Sequence, residues 1–499
     1  MITLEQFEFW FLTGSQDLYG DETLRQVAED SASVVRALND DATIPCNIVI
    51  KPTLVSSEGI LSTLLAANAD PKCAGVIAWM HTFSPAKMWI AGLRSLTKPL
   101  LQLNTQFNRD IPYASIDMDF MNLNQSAHGD REFGHITARM EIPRKVIVGH
   151  WAEQPVRSRM SDWMRAACSY ADGRSLKIAR FGDNMRDVAV TDGDKVEAMV
   201  KMGWSVPYYG IGDLVEYMRS VTDAQVKARV AAYESEYEFP STGRSESFTK
   251  RVAEQARIEE ALRAFAKDNS INAFTTNFQD LHGLEQLPGL ACQSLMASGF
   301  GFAGEGDWKT AAMVRALKVM QAGLEGKGKG ASFMEDYTYN LDPKAGYVLG
   351  AHMLEICPTI ARKRASVEVH PLGIGGKDDP ARLVFDGLPG KALCAAFVDL
   401  GTRFRLVVNE VIALEPPSPF PLLPVARVLW KPLPDLTTAA EAWILAGGGH
   451  HTAYSNIVTV DMLRDWAEIA GVEIASIGEG TTIPAFRNEL RWNAAAWKA

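Results

Sequence analysis

Residues 7–52 read FEFWFLTGSQDLYGDETLRQVAEDSASVVRALNDDATIPCNIVIKP, and they set out one complete strand–helix–strand unit. "FEFWFLTG" (7–14) and "CNIVIKP" (46–52) are strand-sized apolar runs that stop at a glycine and a proline. Between them Leu24, Val27, Ala28, Val35 and Leu38 recur at helical spacing and predict one apolar helix face. Two apolar strands joined by a helical crossover run parallel, because a tight hairpin can only join antiparallel strands. "AGVIAWMH" (74–81) and "PLLQLNT" (99–105) repeat the pattern, which predicts an α/β domain with a doubly wound parallel sheet.

The pattern restarts at "LKIARFGDNMRDVAVTDGDKVEAMVKMGWSVPYYG" (176–210) and continues in "INAFTTNFQDLHGL" (271–284). Beyond about residue 330 the texture changes. "RFRLVVNEVIAL" (403–414) alternates like a strand, and the proline-rich "EPPSPFPLLPVARVLWKPLP" (415–434) suits turns and edges. The reading is therefore three domains, 1–175 and 176–328 of α/β type and 329–499 rich in β structure. Open α/β sheets bind ligands at the carboxyl ends of their strands, so "TGSQD" (13–17), "MHTFS" (80–84), "NTQFN" (104–108), "RFGDN" (180–184) and "TTNFQD" (275–280) are the expected site walls.

Composition narrows the partners. With 50 Lys+Arg against 60 Asp+Glu the net charge is −10, and no basic stripe tracks a phosphate backbone, so nucleic acid is excluded as the expected partner. No apolar run reaches about 18 residues and the N-terminus carries acids where a signal peptide needs lysine or arginine; a cytoplasmic chain with no membrane partner is expected. The six cysteines are scattered without C-x-x-C spacing and read as buried, reduced thiols.

Two glycine motifs fail their context. "GFGFAG" (299–304) matches the dinucleotide fingerprint but follows a helix-like segment instead of a strand. "GLEGKGKG" (323–330) puts Gly330 where a phosphate loop needs Ser or Thr, and reads as a surface loop. No nucleotide cofactor is expected.

The chemistry lies elsewhere. Glu305 stands between two glycines in "GEGDW" (304–308), which permits unusual backbone angles and close ligand approach; its plain alternative is a cap on the helix beginning at "DWKTAAMVRAL" (307–317). Glu335 and Asp336 lie in the apolar, aromatic "SFMEDYTY" (332–339), where a buried carboxylate needs a partner or a metal. His352, His450 and His451 occupy apolar or glycine-rich settings. Two glutamates and two histidines, with no thiolate, suit a hard or borderline divalent ion such as Mn²⁺ or Co²⁺ better than a structural zinc. Adjacent residues of an extended strand face opposite ways, so without a bulge or turn His450 and His451 do not hold the same ion; one should be a ligand and the other back it or face the substrate, and spacing allows either assignment.

Nine motifs carry a resemblance that spacing cannot supply: "WFLTGSQDLYG" (10–20), "HTFSPAKMWI" (81–90), "DMDFMNLNQSAHGDREFG" (117–134), "RFGDNMRDVAVTDGDKVEA" (180–198), "GFAGEGDWKTAA" (301–312), "SFMEDYTY" (332–339), "LGAHMLEICP" (349–358), "LGIGGKDDPARL" (372–383) and "AEAWILAGGGHHT" (440–452). Together they resemble the L-arabinose isomerase family along essentially the whole chain. The resemblance implies interconversion of L-arabinose and L-ribulose, with D-galactose to D-tagatose as a side activity. It implies two Rossmann-like domains followed by a barrel-containing domain, and a homo-hexamer built of two trimers whose sites lie where subunits meet. It further implies Mn²⁺, with Co²⁺ or Mg²⁺ as substitutes, held by Glu305, Glu335, His352 and His451.

Glu305 and Glu335 are then also the acid/base pair. Gln16, Leu18, Gln125, His128, Met185, Phe278, Ile374 and His450 take the sugar-contact positions. The chain departs from the family pattern at Asp17, where His is usual, at Gly449, where Ala is usual, and in the longer loop around "GKGKG" (326–330). Asp17 adjoins Gln16 and bears on sugar preference. The competing classes are an isomerase of another aldose, such as L-fucose or D-galactose, and a sugar-binding protein without turnover.

Overall fold

In a computed structural model describing residues 2–241 and 244–497, the chain divides into two compact units. The first comprises Thr3–Ala171 together with Asp461–Ile469. Its sheet holds β1 (Glu8–Gly14), β2 (Asn47–Ile50), β3 (Cys73–Met80), β4 (Leu100–Asn104) and β5 (Lys145–Val148), all parallel in the order β2-β1-β3-β4-β5. Helices α1 (Gly20–Asn39), α2 (Ser57–Ala69) and α3 (Ser126–Arg139) belong to the same unit, as does α4 (Gln154–Gly173) as far as Ala171. The doubly wound expectation holds here, and the order reverses between β1 and β3, where such sheets open a crevice.

Helix α1 buries Val27, Val34, Val35 and Leu38 but leaves Ala28 exposed. Its inward face also carries Asp30 and Ser31. The Asp30 carboxylate pairs with His81 Nε2 at 2.8 Å, and the Ser31 hydroxyl meets that of Thr13 at 2.8 Å. These polar groups are inside because partners in the sheet satisfy them, which the apolar spacing alone could not reveal.

The second unit is built mainly of Asp172–Val460 and the chain from Ala470. It starts with a four-stranded parallel sheet in the order β7-β6-β8-β9, made of β6 (Ile178–Phe181), β7 (Tyr208–Tyr209), β8 (Ala273–Thr276) and β9 (Gly301–Ala303). Around it lie α5 (Glu246–Asn269), α6 (Gly289–Ala297) and α7 (Trp308–Met320). The "GFGFAG" segment leaves helix α6 and itself becomes β9, so no strand leads into it and the dinucleotide reading stays rejected.

The same unit continues into β10 (Ala331–Asn340), β11 (Tyr347–Ala351), the hairpin β12 (Ser366–Val369) and β13 (Ala381–Val384), then β14 (Gly390–Asp399), β15 (Phe404–Leu414), β16 (Arg427–Pro432), β17 (His451–Ser455) and β18 (Glu473–Ile477). Six of these form an antiparallel cycle, β14-β17-β10-β11-β16-β15, closed by ten paired positions between β14 and β15; β18 adds in parallel outside. Closure removes the open edges that such strands would otherwise expose. The expected β-rich segment is thus a closed barrel. At Gly350 on β11 the wall leaves no room for a side chain, since an added Cβ would lie 1.7 Å from Trp430 Cζ3.

All six cysteines are buried thiols. Among the described residues no helix is long and apolar enough to cross a membrane.

Candidate active site

Three barrel strands place the chemistry by register. On β10, Glu335 lies directly across from His451 at the start of β17 and from Ala351 at the end of β11, and His352 is the next residue along. These positions therefore meet at one end of the barrel. Glu305 comes from the turn between β9 and α7. One ligand atom from each of Glu305, His352 and His451 lies within 4.8 Å of the others, and both imidazoles are buried. Glu335 is half-buried beside them, and its charge helps to raise the pKa of His352 and His450.

The Glu305 turn is unusual backbone. Glu305 adopts φ +61° and Gly306 φ +82°, so a glutamate sits in the left-handed region. For a non-glycine residue that conformation costs on the order of 1–3 kcal/mol and persists only where surrounding structure enforces it. Glu305 is not the helix cap: Asp307 is, its carboxylate accepting from Thr310 N–H at 3.2 Å and Thr310 Oγ1–H at 2.7 Å. Glu305 is therefore left for the site.

Each buried imidazole is backed by a carboxylate. His451 Nδ1 lies 3.1 Å from Asp307 Oδ2, and His352 Nδ1 lies 2.5 Å from Glu355 Oε2. Such pairing holds the proton on Nδ1 and turns the Nε2 lone pair inward, the arrangement that carries imidazole metal ligands. His451 Nε2 is buried with no hydrogen-bond partner, which suits an electron-pair acceptor at that position. Phe333 closes the floor, edge-on to His352 at 4.9 Å and to His451 at 5.1 Å. A carboxylate and two imidazoles around a partner-seeking nitrogen fit a divalent ion.

The electrostatics are consistent with that set. Contact with His450, then the charges of His451 and His352, holds Glu305 below the usual carboxylate range against the effect of its burial. Burial alone would raise Asp307, yet Lys309, His451 and Thr310 bring it down to about 2. Burial disfavours a charged His352, but Glu355 outweighs it and raises the ring. Asp336 points elsewhere: burial and the Glu335 charge push it up to about 7.

The two adjacent histidines do not face opposite ways. His450 sits in a bend before β17 begins, its ring 4.3 Å from that of His451, and each Nε2 is 3.7 Å from Glu305 Oε2. The "GGG" turn overrides strand alternation: Gly447 is left-handed at φ +80° and ends the helix Leu436–Ala446. What separates the two roles is burial, because His451 is enclosed while the His450 side chain is 36% exposed.

The expected sugar contacts fall into two groups. Met185 and His450 reach Glu305, the first through its N–H to the Glu305 carbonyl at 2.9 Å. Phe278 follows β8 and Ile374 lies in the loop between β12 and β13, both half-buried in the same unit. Gln16, Leu18, Gln125 and His128 belong to the first unit, on the turn after β1 and at the start of α3. There Gln125 Nε2 donates to the Tyr19 hydroxyl at 3.3 Å, His128 packs against Phe83 at 4.5 Å, and Leu18 is 83% exposed.

Sequence reasoning missed Asp307, Glu355 and Phe333. The spacing signal was present for two of them, since Asp307 opens a helix two residues after Glu305 and Glu355 follows His352 by three. Their partners, however, are set by the fold.

Comparison with known proteins covers the whole chain. Residues 3–175 match the L-arabinose isomerase N-terminal domain, 177–323 the central domain and 330–473 the C-terminal domain. The chain is 59% identical over 499 residues to an L-arabinose isomerase of Geobacillus stearothermophilus, covering 100% of both chains. It is 57% identical over 497 residues to those of Thermotoga petrophila and Thermotoga maritima, covering 100% of this chain and 99% of each relative.

Proposed function

The chain belongs to the L-arabinose isomerase family and is an isomerase; we propose that it interconverts L-arabinose and L-ribulose, and D-galactose and D-tagatose more slowly, at the Glu305–His352–His451 site. The observation that carries this reading is the buried, partnerless His451 Nε2 facing Glu305 and His352. Glu305, Glu335, His352 and His451 are the proposed ligands of Mn²⁺, with Co²⁺ or Mg²⁺ able to replace it. Such an ion polarises a sugar carbonyl and acidifies the neighbouring C–H.

The protein's own groups move the protons. One of Glu305 and Glu335 removes the C2 proton of the open-chain aldose and returns it to C1 through a cis-enediol, while the other shifts the hydroxyl proton. The hydrogen only changes carbon, so the reaction calls for no nucleotide cofactor. The depressed pKa of Glu305 keeps it ionised at neutral pH, the form a base requires. His450, half-exposed beside Glu305, is placed to bind a sugar hydroxyl, and Met185, Phe278 and Ile374 line the sugar with it.

Gln16, Leu18, Gln125 and His128 are proposed to reach the sugar from a neighbouring subunit of a trimer, two trimers forming a hexamer in the cytoplasm. The exposure of Leu18 supports an interfacial role. In this reading the domains are 1–175, 176–328 and 329–499. The test is ketose formation from a panel of aldoses by chelated, dialysed protein with and without added Mn²⁺. Full activity after chelation sinks the metal site; a higher kcat/KM for another aldose sinks the assigned substrate.

A further inference from the structure

Glu305 cannot hold its left-handed conformation alone, and the structure points to what holds it. The turn closes on itself through the Asp307 N–H to the Gly304 carbonyl at 3.0 Å and the Trp308 N–H to the Gly306 carbonyl at 2.8 Å, and three further bonds fasten it to the surrounding chain. The Gly306 N–H donates to the Thr276 carbonyl at 3.1 Å, the Met185 N–H to the Glu305 carbonyl at 2.9 Å, and the Asn184 amide to the Gly306 carbonyl at 3.2 Å. The first two are backbone bonds that any sequence could make. The third belongs to a side chain.

Asn184 is itself fixed from both ends. Its amide N–H also donates to the Thr191 carbonyl at 2.5 Å, and its amide oxygen accepts from the Arg180 guanidinium at 2.8 Å. The far side of the same loop is held by the buried Lys309, whose Nζ donates to the carbonyls of Val190 at 2.9 Å and Asp192 at 2.5 Å. Contact is close enough that a Cβ at Gly306 would stand 2.5 Å from the Asn184 Cα. The loop 183–192 is thus tied down at both ends where it lies against the turn at Gly306.

We propose that Asn184 is a positioning residue that enforces the left-handed backbone of Glu305 and so aims its carboxylate at His352 and His451. The proposal rests on the reading of Glu305 as a metal-site residue. Asn184→Asp is the informative change, because it is isosteric, keeps the Arg180 contact and replaces the two amide donations by a carboxylate set against two carbonyl oxygens.

Two measurements on the full-length, metal-free protein test it. The first is the gap in melting temperature between Glu305→Gly and Glu305→Ala, made with Asn184 present and again with Asn184→Asp. Alanine feels the left-handed backbone and glycine does not, so the gap reads the enforced conformation directly. With Asn184 present the glycine variant melts higher; with Asn184→Asp the gap falls to less than half. The second is Mn²⁺ titration by calorimetry, where Asn184→Asp alone weakens the dissociation constant about ten-fold or more, in the range for residues that orient ligands. A gap unchanged by Asn184→Asp overturns the proposal, whatever the Mn²⁺ affinity. If the wild-type protein binds no Mn²⁺, the metal reading of the site fails, while the melting gap still decides what Asn184 does.

Discussion

Asp307→Asn is the smallest change that should disable the site, and its effect follows from counting donors. The Asp307 carboxylate accepts three hydrogen bonds, from Thr310 N–H, Thr310 Oγ1–H and His451 Nδ1–H. An asparagine offers one oxygen and one NH₂ in their place. A backbone N–H cannot turn away, whereas a hydroxyl can, so the oxygen stays with Thr310 N–H. The NH₂ group then faces His451 Nδ1. It forces that nitrogen to accept and moves the imidazole proton to Nε2, the atom that must offer its lone pair to a metal. Loss of such a backing carboxylate costs about 10–100-fold in metal affinity, or about 1.4–2.7 kcal/mol.

The assay is calorimetric Mn²⁺ titration of chelated protein at neutral pH, with circular dichroism to confirm the fold. An Mn²⁺ dissociation constant within two-fold of wild type, in a folded variant, would refute the tautomer reasoning. Asp307→Ala provides the comparison, since it frees His451 without imposing the wrong tautomer. Its affinity should fall less than that of the isosteric asparagine.

Further outcomes follow from other contacts. His451→Ala should abolish Mn²⁺ binding, whereas His450→Ala should lower turnover and leave Mn²⁺ bound; titration of both variants checks this, and the reverse pattern would reassign the pair. Asp130 is buried against Asn104 and Gln102, and burial raises its carboxyl to about 7. A raised folded pKa means that its stabilising contribution is present below its unfolded pKa of about 3.9 and is lost as pH rises through about 7. Asp130→Asn should therefore gain about 3 kcal/mol relative to wild type between pH 5 and pH 8, read by denaturant unfolding at the two pH values. Gly350→Ala drives a methyl into the Trp430 ring and should cost about 3 kcal/mol or more, seen as a lower melting temperature.

Local pattern was enough for much of the architecture. Strand-sized apolar runs and period-3.6 spacing, with glycine and proline stops, mark the parallel strands and α1. The glycines around Glu305 and the acids in "SFMEDYTY" single out the chemistry before any contact is known. What the chain could not display along its length was register. Glu335, His352 and His451 come together because β10 pairs with β11 on one side and β17 on the other, a choice made by the closure of six strands and not by any one of them.

The same holds for buried polar groups. Asp30 and Asp307 look like ordinary surface acids in sequence, since nothing in a residue's neighbours along the chain announces the histidine that will satisfy it across the fold. The "HH" pair shows both sides of the division. Its composition announced a site, and strand alternation predicted that its two rings diverge. Only the packed structure decided that both rings reach Glu305 and that burial, not strand alternation, separates them. Periodicity is a local property of the backbone, whereas the cost of burying a charge is settled only once the surrounding chain is in place.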